Sequence, residues 1–470
     1  MSFPYAASFK LNSVAITPVG ATEADLITDL VMRLDYFEDI KYPSVAAKML
    51  IQDNANNMIA SMPIQGYEKV TIKLQSSDQV DHEYNFRIYK VENRTSTERM
   101  QIYELGLVSD EALVNEATRV AKTLRGKPDA IVKEILKTYI STEKEIFTDK
   151  SVYNIIFQPG KKTPFSIINS LKSKSVPEGT SVKAKKKPSD KSNSTSKSDV
   201  ASTDKSDYNT SGGTAGYFFY ENASGYHFKS IDGLCSVDNF NGTEPVAKYY
   251  QDREDSSSSG PERKIGSISY EHEIDIMSKL RLGAYSSLIA FYNFSTGAYE
   301  EHVYSLADEY ENLGHMGSQG GLPAGQKELS QYPTRVMSVL LDHETWFNGA
   351  AVASPEEKDG ADGDTADFPD FQKHYISQSI SRLNSLENQK LRISVPGNPS
   401  LMVGDKIEIL IPNQIPTRDR TEQSYDDEHS GVYLISQVNH AFSPKEEKST
   451  SHLTLIRDSY GRKESASKVK

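Results

Sequence analysis

A single cysteine, Cys235, in 470 residues excludes an intrachain disulfide and any cysteine-rich zinc site. It reads as a small buried residue rather than a reactive thiol. Tryptophan is as scarce: Trp346 stands alone beside Phe347, where a core or interface anchor is the natural reading. No run approaches the ~18 consecutive apolar residues of a membrane span, and the start MSFPYAASFK lacks the basic-then-apolar pattern of a signal peptide. The expectation is a water-soluble protein synthesised in the cytoplasm. Positive charge is also in deficit. The formal net charge of -12 opposes general binding to nucleic-acid phosphates, which needs a clustered basic surface.

Catalytic signatures are missing as well. There is no phosphate-cradling G-x-x-x-x-G-K-[ST] and no G-x-S-x-G elbow. His343 in DHETW and His272 in EHEID each stand beside glutamate, but neither has the second histidine four residues on that would put two zinc ligands on one helix face. Both read as surface or interface residues. Asp359, Asp362, Asp364 and Asp367 offer hard oxygens, yet their spacing does not fit a calcium loop, so they read as a solvated acidic segment. Paired carboxylates for glycoside cleavage need not be neighbours in sequence and leave no signature. No catalytic, cofactor-binding or metal-ligating residue is assigned, and no cofactor.

What is present is a chain long enough for two to four ordinary domains, with one clear break. From about Lys172 to Thr214 the text is Ser, Lys, Thr, Asp and Gly, too poor in large apolar groups to offset its ordering entropy. Its Lys172–Asp207 part holds nine lysines against five acids, a surplus of +4 that leaves -16 on the rest of the chain. Residues 251–263 and 354–370 read as smaller surface loops of the same kind.

Before the break, period-two alternation at Val70, Ile72 and Leu74, then Phe86 and Ile88, then Met100 and Ile102 predicts short strands of a small barrel, with a brief helix at Asn54–Ile59. Helical spacing follows at Leu113, Ala117, Val120, Ala121 and Leu124, with Gly126 as the stop. A second helix carries Ile131, Ile135 and Tyr139 after Pro128, and a third starts at Thr163–Pro164 with Ile167, Ile168 and Leu171 inward. After the break, Tyr217–Tyr220 and Tyr226–Phe228 flank the turn Asn222–Gly225 and predict a hairpin, its aromatics serving as core. Near the end, Leu391, Ile393 and Val395, the turn Pro396–Pro399, then Ile407, Ile409 and Ile411, then SGVYLISQVNHAF and TSHLTLIRDSYG predict a second small barrel. Gly397, Gly404 and Gly431 serve its tight turns. The fold class is α+β, mostly β. Two small β-barrel, tube-like domains at 1–108 and 375–470 flank a mixed helical and β insert at 109–374.

The order of TPFSIINSL, GYFFYENASGYHFKSIDGL, LRISVPGNPSLMVGDKIEILIP, SGVYLISQVNHAF and LTLIRDSYG resembles the central baseplate hub of contractile-tailed, T-even-like bacteriophages. It is also similar to the hub-like half of VgrG proteins of type VI secretion. The likeness extends over most of the chain, with the Ser/Lys segment as an insertion. It implies a non-enzymatic virion protein, assembled in the host cytoplasm into the tail baseplate. A homotrimeric ring would present six related barrels, linking a trimeric tail spike or tail lysozyme to tube-initiating proteins above. DNA would pass through the ring without specific binding, and the surplus of negative charge suits a neutral to acidic channel wall. The reading of another class is a phage-borne or secreted cell-wall hydrolase or carbohydrate-binding protein built on small β domains.

Overall fold

The structure is a computed structural model that describes residues 7–54, 64–97, 100–152, 154–178, 214–236, 243–251, 261–272, 275–293, 297, 299–310, 313–318, 321–341, 369–413 and 425–461. The N-terminal strands are β1 (Lys10–Thr17), β2 (Asp25–Leu26), β3 (Val31–Asp39), β4 (Ala46–Asn54), β5 (Lys69–Gln75), β6 (Asp81–Ser96) and β7 (Met100–Val108). The middle of the chain holds β8 (Leu124–Gly126), β9 (Glu145–Thr148), β10 (Ile155–Phe157), β11 (Tyr217–Asn222), β12 (Gly225–Ser230), β13 (Ala247–Tyr250), β14 (Ser267–His272), β15 (Ser286–Asn293), β16 (Tyr299–Ser305) and β17 (Arg335–Leu341). The C-terminal strands are β18 (Gln389–Pro396), β19 (Lys406–Leu410), β20 (Gly431–Ser443) and β21 (Lys448–Arg457).

The chain is mostly β, with helices inserted, as expected. The described ladders do not close into barrels. Instead, both ends of the chain share one 13-stranded sheet in the order β14-β18-β21-β20-β3-β4-β7-β6-β5-β1-β2, with β13 and β19 attached beside β20. β13 and β14, which come from the 109–374 span, thus complete the C-terminal strands. Two separate cores lie against this sheet. One gathers Val14, Leu34, Met49, Ile72, Leu105 and their neighbours, and the other Ile393, Ile407, Tyr433, Leu453 and theirs.

The sheet contains a repeat. Taken in chain order, β1, β3, β4, β5, β6 and β7 are arranged in space as β3-β4-β7-β6-β5-β1. Six later strands, β13, β14, β18, β19, β20 and β21, are arranged as β14-β18-β21-β20-β19-β13, the same permutation. The two units differ at one end, where β1 runs antiparallel to β5 and β13 parallel to β19.

Several local expectations need correction. The helix drawn through Leu124 ends at Ala117, and its buried residues are Glu111 and Asn115 rather than the apolar ones. Polar partners explain this, because Glu111 meets Lys144 and Asn115 accepts from the Phe165 backbone. Val120 bridges to Lys162 and Leu124 enters β8, so this stretch leaves the helix for sheet pairing, and Gly126 lies within that strand. In β7 the buried face is Tyr103, Leu105 and Leu107, one residue out of phase with Met100 and Ile102. β1, β3 and β4 were not read from the sequence. The Asn54 to Ile59 helix lies outside the described residues beyond Asn54, which ends β4. By contrast, the helices Pro128–Ile135 and Pro164–Lys172 begin with proline at the predicted positions. The hairpin β11–β12 has Asn222 opposite Gly225 as read, and Tyr217, Phe219 and Phe228 are fully buried.

The Ser/Lys segment also starts later than its composition suggested. Ser175 and Val176 are buried, Pro177 bridges to Ser151, Glu178 N donates to Lys150 O, and Thr214 is packed on Asp232. Residues 179–213 lie outside the described residues, as do 252–260 and 342–368. A deletion from Ser175 to Asp207 therefore removes a packed stretch, and thermal unfolding should show a loss on the order of 2 kcal/mol. A deletion confined to 181–207 should leave the melting temperature within about a degree.

Candidate functional site at the junction of the two strand units

β20 is where the two units meet. Its first half, Gly431–Leu434, pairs β19; the register then shifts between Ile435 and Gln437, and Gln437–Phe442 pairs β3. The bulge turns the strand edge from one neighbour to the other. Ile40 N donates to Ser436 O at 2.9 Å, closing the crossover. Val438, His440 and Phe442 line the same buried face of the second half; along it Val438 packs in the C-terminal core and Phe442 in the N-terminal one, 5.0 Å from the Phe9 ring.

Glu38, beside Val438 in the register, is buried and ties three segments together. Its Oε1 accepts from Tyr36 Oη at 2.7 Å and from Ala223 N at 2.7 Å, in the turn of the aromatic hairpin. Its Oε2 accepts from Val403 N at 2.8 Å, in the loop before β19. Burial pushes the Glu38 carboxyl up to about 7 against the pull of these donors. Asp405, close by, is likewise pushed up to about 6 by burial. His440 stacks on Tyr36 and bridges Ser451 Oγ and Leu401 O, and burial lowers it to about 4, so the ring is neutral at physiological pH. Gly404 is required here. Its φ is +91°, and a Cβ would fall 2.1 Å from Tyr220 Oη.

Two further buried clusters fasten the insert to the sheet. Lys144 Nζ lies 2.6 Å from Glu111 Oε2 and 2.5 Å from Glu221 Oε1, while Glu221 Oε2 accepts from Val45 N at 3.1 Å. Arg382, in the helix Pro369–Leu386, sits between Asp232 at 3.1 Å and Asp458 at 3.3 Å and also donates to Gly314 O. Asp458 accepts from His315 Nδ1 at 2.6 Å and from Met316 N at 3.0 Å. Burial alone would push the Asp458 carboxyl up, but His315 and Arg382 hold it well below the usual carboxylate range. Each charge in these clusters faces an opposite charge or a backbone group inside the protein. That arrangement holds segments together and presents no poised base, nucleophile or open coordination position.

The outward face of the sheet is polar. Asp35, Lys48, Gly106 and Lys90 form one row across four strands, and Arg33, Leu50, Glu104 and Glu92 form the next. Within these two rows the three cations are matched by three acids, with Arg33 on Asp35, Lys48 on Glu104 and Lys90 on Glu92. Across the junction the face continues as a shallow concavity lined by Phe37, Asp39, Arg392, Asn439, His452 and Thr454.

Cys235 is fully buried, and burial pushes its thiol well up. His272 ends β14, while His343, Trp346 and the Asp359–Asp367 run lie outside the described residues. No group of three metal-binding side chains occurs among the described residues, and no described helix is long and apolar enough to cross a membrane. The junction residues Glu38 and Asp405 were not singled out from sequence. A signal existed in retrospect: Glu68-Lys69-Val70-Thr71-Ile72 and Asp405-Lys406-Ile407-Glu408-Ile409 follow one pattern at the same place in the two units. In each, the carboxylate reaches back three residues, Glu68 accepting from Gln65 N at 2.6 Å and Asp405 from Met402 N at 3.1 Å.

The chain matches no known protein-family model and no curated protein in sequence. In structure it is similar to a tail protein from Neisseria meningitidis MC58, with a TM-score of 0.48 and 10% identity, covering 96% of this chain and 97% of that one. It is also similar to the 43 kDa tail protein of prophage MuSo2 from Shewanella oneidensis, with a TM-score of 0.47 and 7% identity over 95% and 98% of the two chains. A component of the E. coli type VI secretion system gives a TM-score of 0.42 and 9% identity, covering 97% of this chain and 79% of that one.

The Glu38 arrangement has a testable pH signature. A carboxyl raised from 4.5 to about 7 in the folded state keeps a proton that the unfolded chain releases, so its contribution to stability falls as pH rises from about 4.5 to 7. In urea unfolding, Glu38→Gln should remove up to about 3 kcal/mol of the wild-type decline between pH 5 and pH 8. Glu38→Ala should destabilise at both, by about 1–3 kcal/mol, because Ala223 N and Val403 N lose their acceptor.

Proposed function

We propose that the chain is a structural hub of a contractile-tail baseplate, a virion protein assembled in the host cytoplasm. In this reading three copies form a ring of six strand units that joins a threefold spike to a sixfold tail tube. The observation that carries it is the repeated six-strand permutation within one chain, joined edge to edge through β20 and β3. A protein carrying two like units per copy converts threefold symmetry into approximate sixfold symmetry, and a closed ring leaves no lateral interface unfilled. The sequence segments that resemble the hub family fall on these elements: VPGNP at the end of β18, GDKIEI on β19, and SGVYLISQVNHAF on β20.

The two units are the tube-like domains of this reading, approximately 1–108 and the C-terminal strands with β13 and β14, and the helices and smaller sheets between them form the insert. Their outward face is the channel wall. Matched cations and acids in its transverse rows give a polyanion no net charge to hold, so DNA passes without retention. Buried, fully engaged charges at the junctions suit a protein that carries load rather than chemistry.

Native mass measurement tests the reading. The purified chain should assemble to three times its mass of 52.4 kDa when alone, or to that mass plus the spike's own when bound to a trimeric spike. The ring should bind double-stranded DNA weakly even at about 50 mM salt, where a phosphate-binding protein gains orders of magnitude in affinity. A chain that stays monomeric under both conditions, or a ring that holds DNA tightly, overturns it.

A further inference from the structure

The ring reading leaves open how one copy meets the next, and the internal repeat supplies an answer that rests on that reading. Within the chain, the contact between units is made by the freed edge of β20 after its bulge. The corresponding strand of the first unit is β6, and the correspondence extends to single hydrogen bonds. Gly404 N donates to Ile435 O at 3.1 Å and Ile435 N to Asp405 O at 2.9 Å. In the first unit Tyr67 N donates to Ile88 O at 2.7 Å and Ile88 N to Glu68 O at 3.0 Å. Ile435 faces Leu455 and the register then skips to Gln437 opposite Thr454. Ile88 faces Leu107 and the register skips to Lys90 opposite Gly106. Both strands therefore bulge at the same step and turn the same edge away from their first neighbour.

After that step the two strands differ. β20 pairs β3, whereas Lys90–Ser96 of β6 pairs only β7 among the described residues. The counterpart of β3 in the second unit is β14. Tyr36 faces Ala47 of β4, which faces Leu107. Tyr270 faces Leu391 of β18, which faces Leu455. β14 also stands at the end of the sheet order. Burial shows the same asymmetry. Val438 and Tyr36, at the junction inside the chain, are 2% and 3% exposed, while their counterparts Val91 and Tyr270 are 40% and 42% exposed.

We propose that β6 of one copy pairs antiparallel with β14 of the next copy, repeating between chains the β20–β3 junction made within each chain. Among the described residues the two edges do not pair within one chain, and the β20–β3 ladder lies between them in the sheet order. A head-to-tail contact of this kind propagates around a ring and closes it. Backbone hydrogen bonds supply the join, and Val91, Tyr89 and Tyr270 supply apolar surface to cover. Transferring the internal register, in which Asn439 faces Phe37, places Glu92 opposite His272 of the neighbouring copy.

The test is a cross-link in the full chain. Cysteines placed as Glu92→Cys with His272→Cys fall on directly opposed positions, where paired Cβ atoms lie about 4.5–5.5 Å apart and a disulfide forms with little movement. Native Cys235 is buried and does not compete. Mild oxidation should convert the double variant into covalent dimers and trimers on a non-reducing gel, and neither single variant should do so. A second variant, Val91→Asp, should keep the monomer's melting temperature and weaken trimer formation at least tenfold. A trimer by native mass that gives no cross-link, or that tolerates Val91→Asp, overturns the edge pairing and leaves the ring reading in place. A chain that remains monomeric and uncross-linked overturns the ring reading, and this interface with it.

Discussion

The structure depends on one strand serving two strand units of the same sheet. β20 gives its first half to β19 and its second half to β3, while β21 runs along its other edge from Leu434 onward. Had the strand been straight, its edge would have stayed with a single neighbour. The register shift at Ser436 makes the change of partner, and the one buried face of the second half then serves both cores, Val438 the C-terminal one and Phe442 the N-terminal one. Separating the units would expose a row of backbone donors and acceptors as well as these side chains, so the two cores are expected to unfold together.

Around that strand, buried charge specifies position more than it adds stability. Glu38, the Lys144 cluster and the Arg382 cluster each join segments far apart in sequence. Apolar residues of similar volume could hold such contacts as strongly, but with less selectivity for geometry. A carboxylate that accepts from Ala223 N and Val403 N at once allows one placement of hairpin and loop relative to β3. The ring proposed for this chain would need such fixed placement, because small errors at each junction accumulate around a ring. The outward face uses charge differently, with cations and acids paired in the open.

Composition and periodicity determined a good deal by themselves. One cysteine, no long apolar run and no catalytic motif excluded whole classes of protein, and the mostly β character, the proline-started helices and the aromatic hairpin were all legible, because each depends on neighbours within a few residues. The segments resembling a baseplate hub were legible for the same reason. Helical spacing misled at Val120 and Leu124, where sheet partners distant in sequence override local preference, and alternation misled by one residue at Met100 and Ile102. Which carboxylates are buried, which strand edge turns away at a bulge, and that β6 repeats β20 down to Ile88 and Ile435 were decided only by tertiary structure. Those properties depend on the register between paired strands, from the hairpin neighbours Ile88–Leu107 and Ile435–Leu455 to the remote pair Glu38–Val438, and the order of residues along one strand does not name its partner.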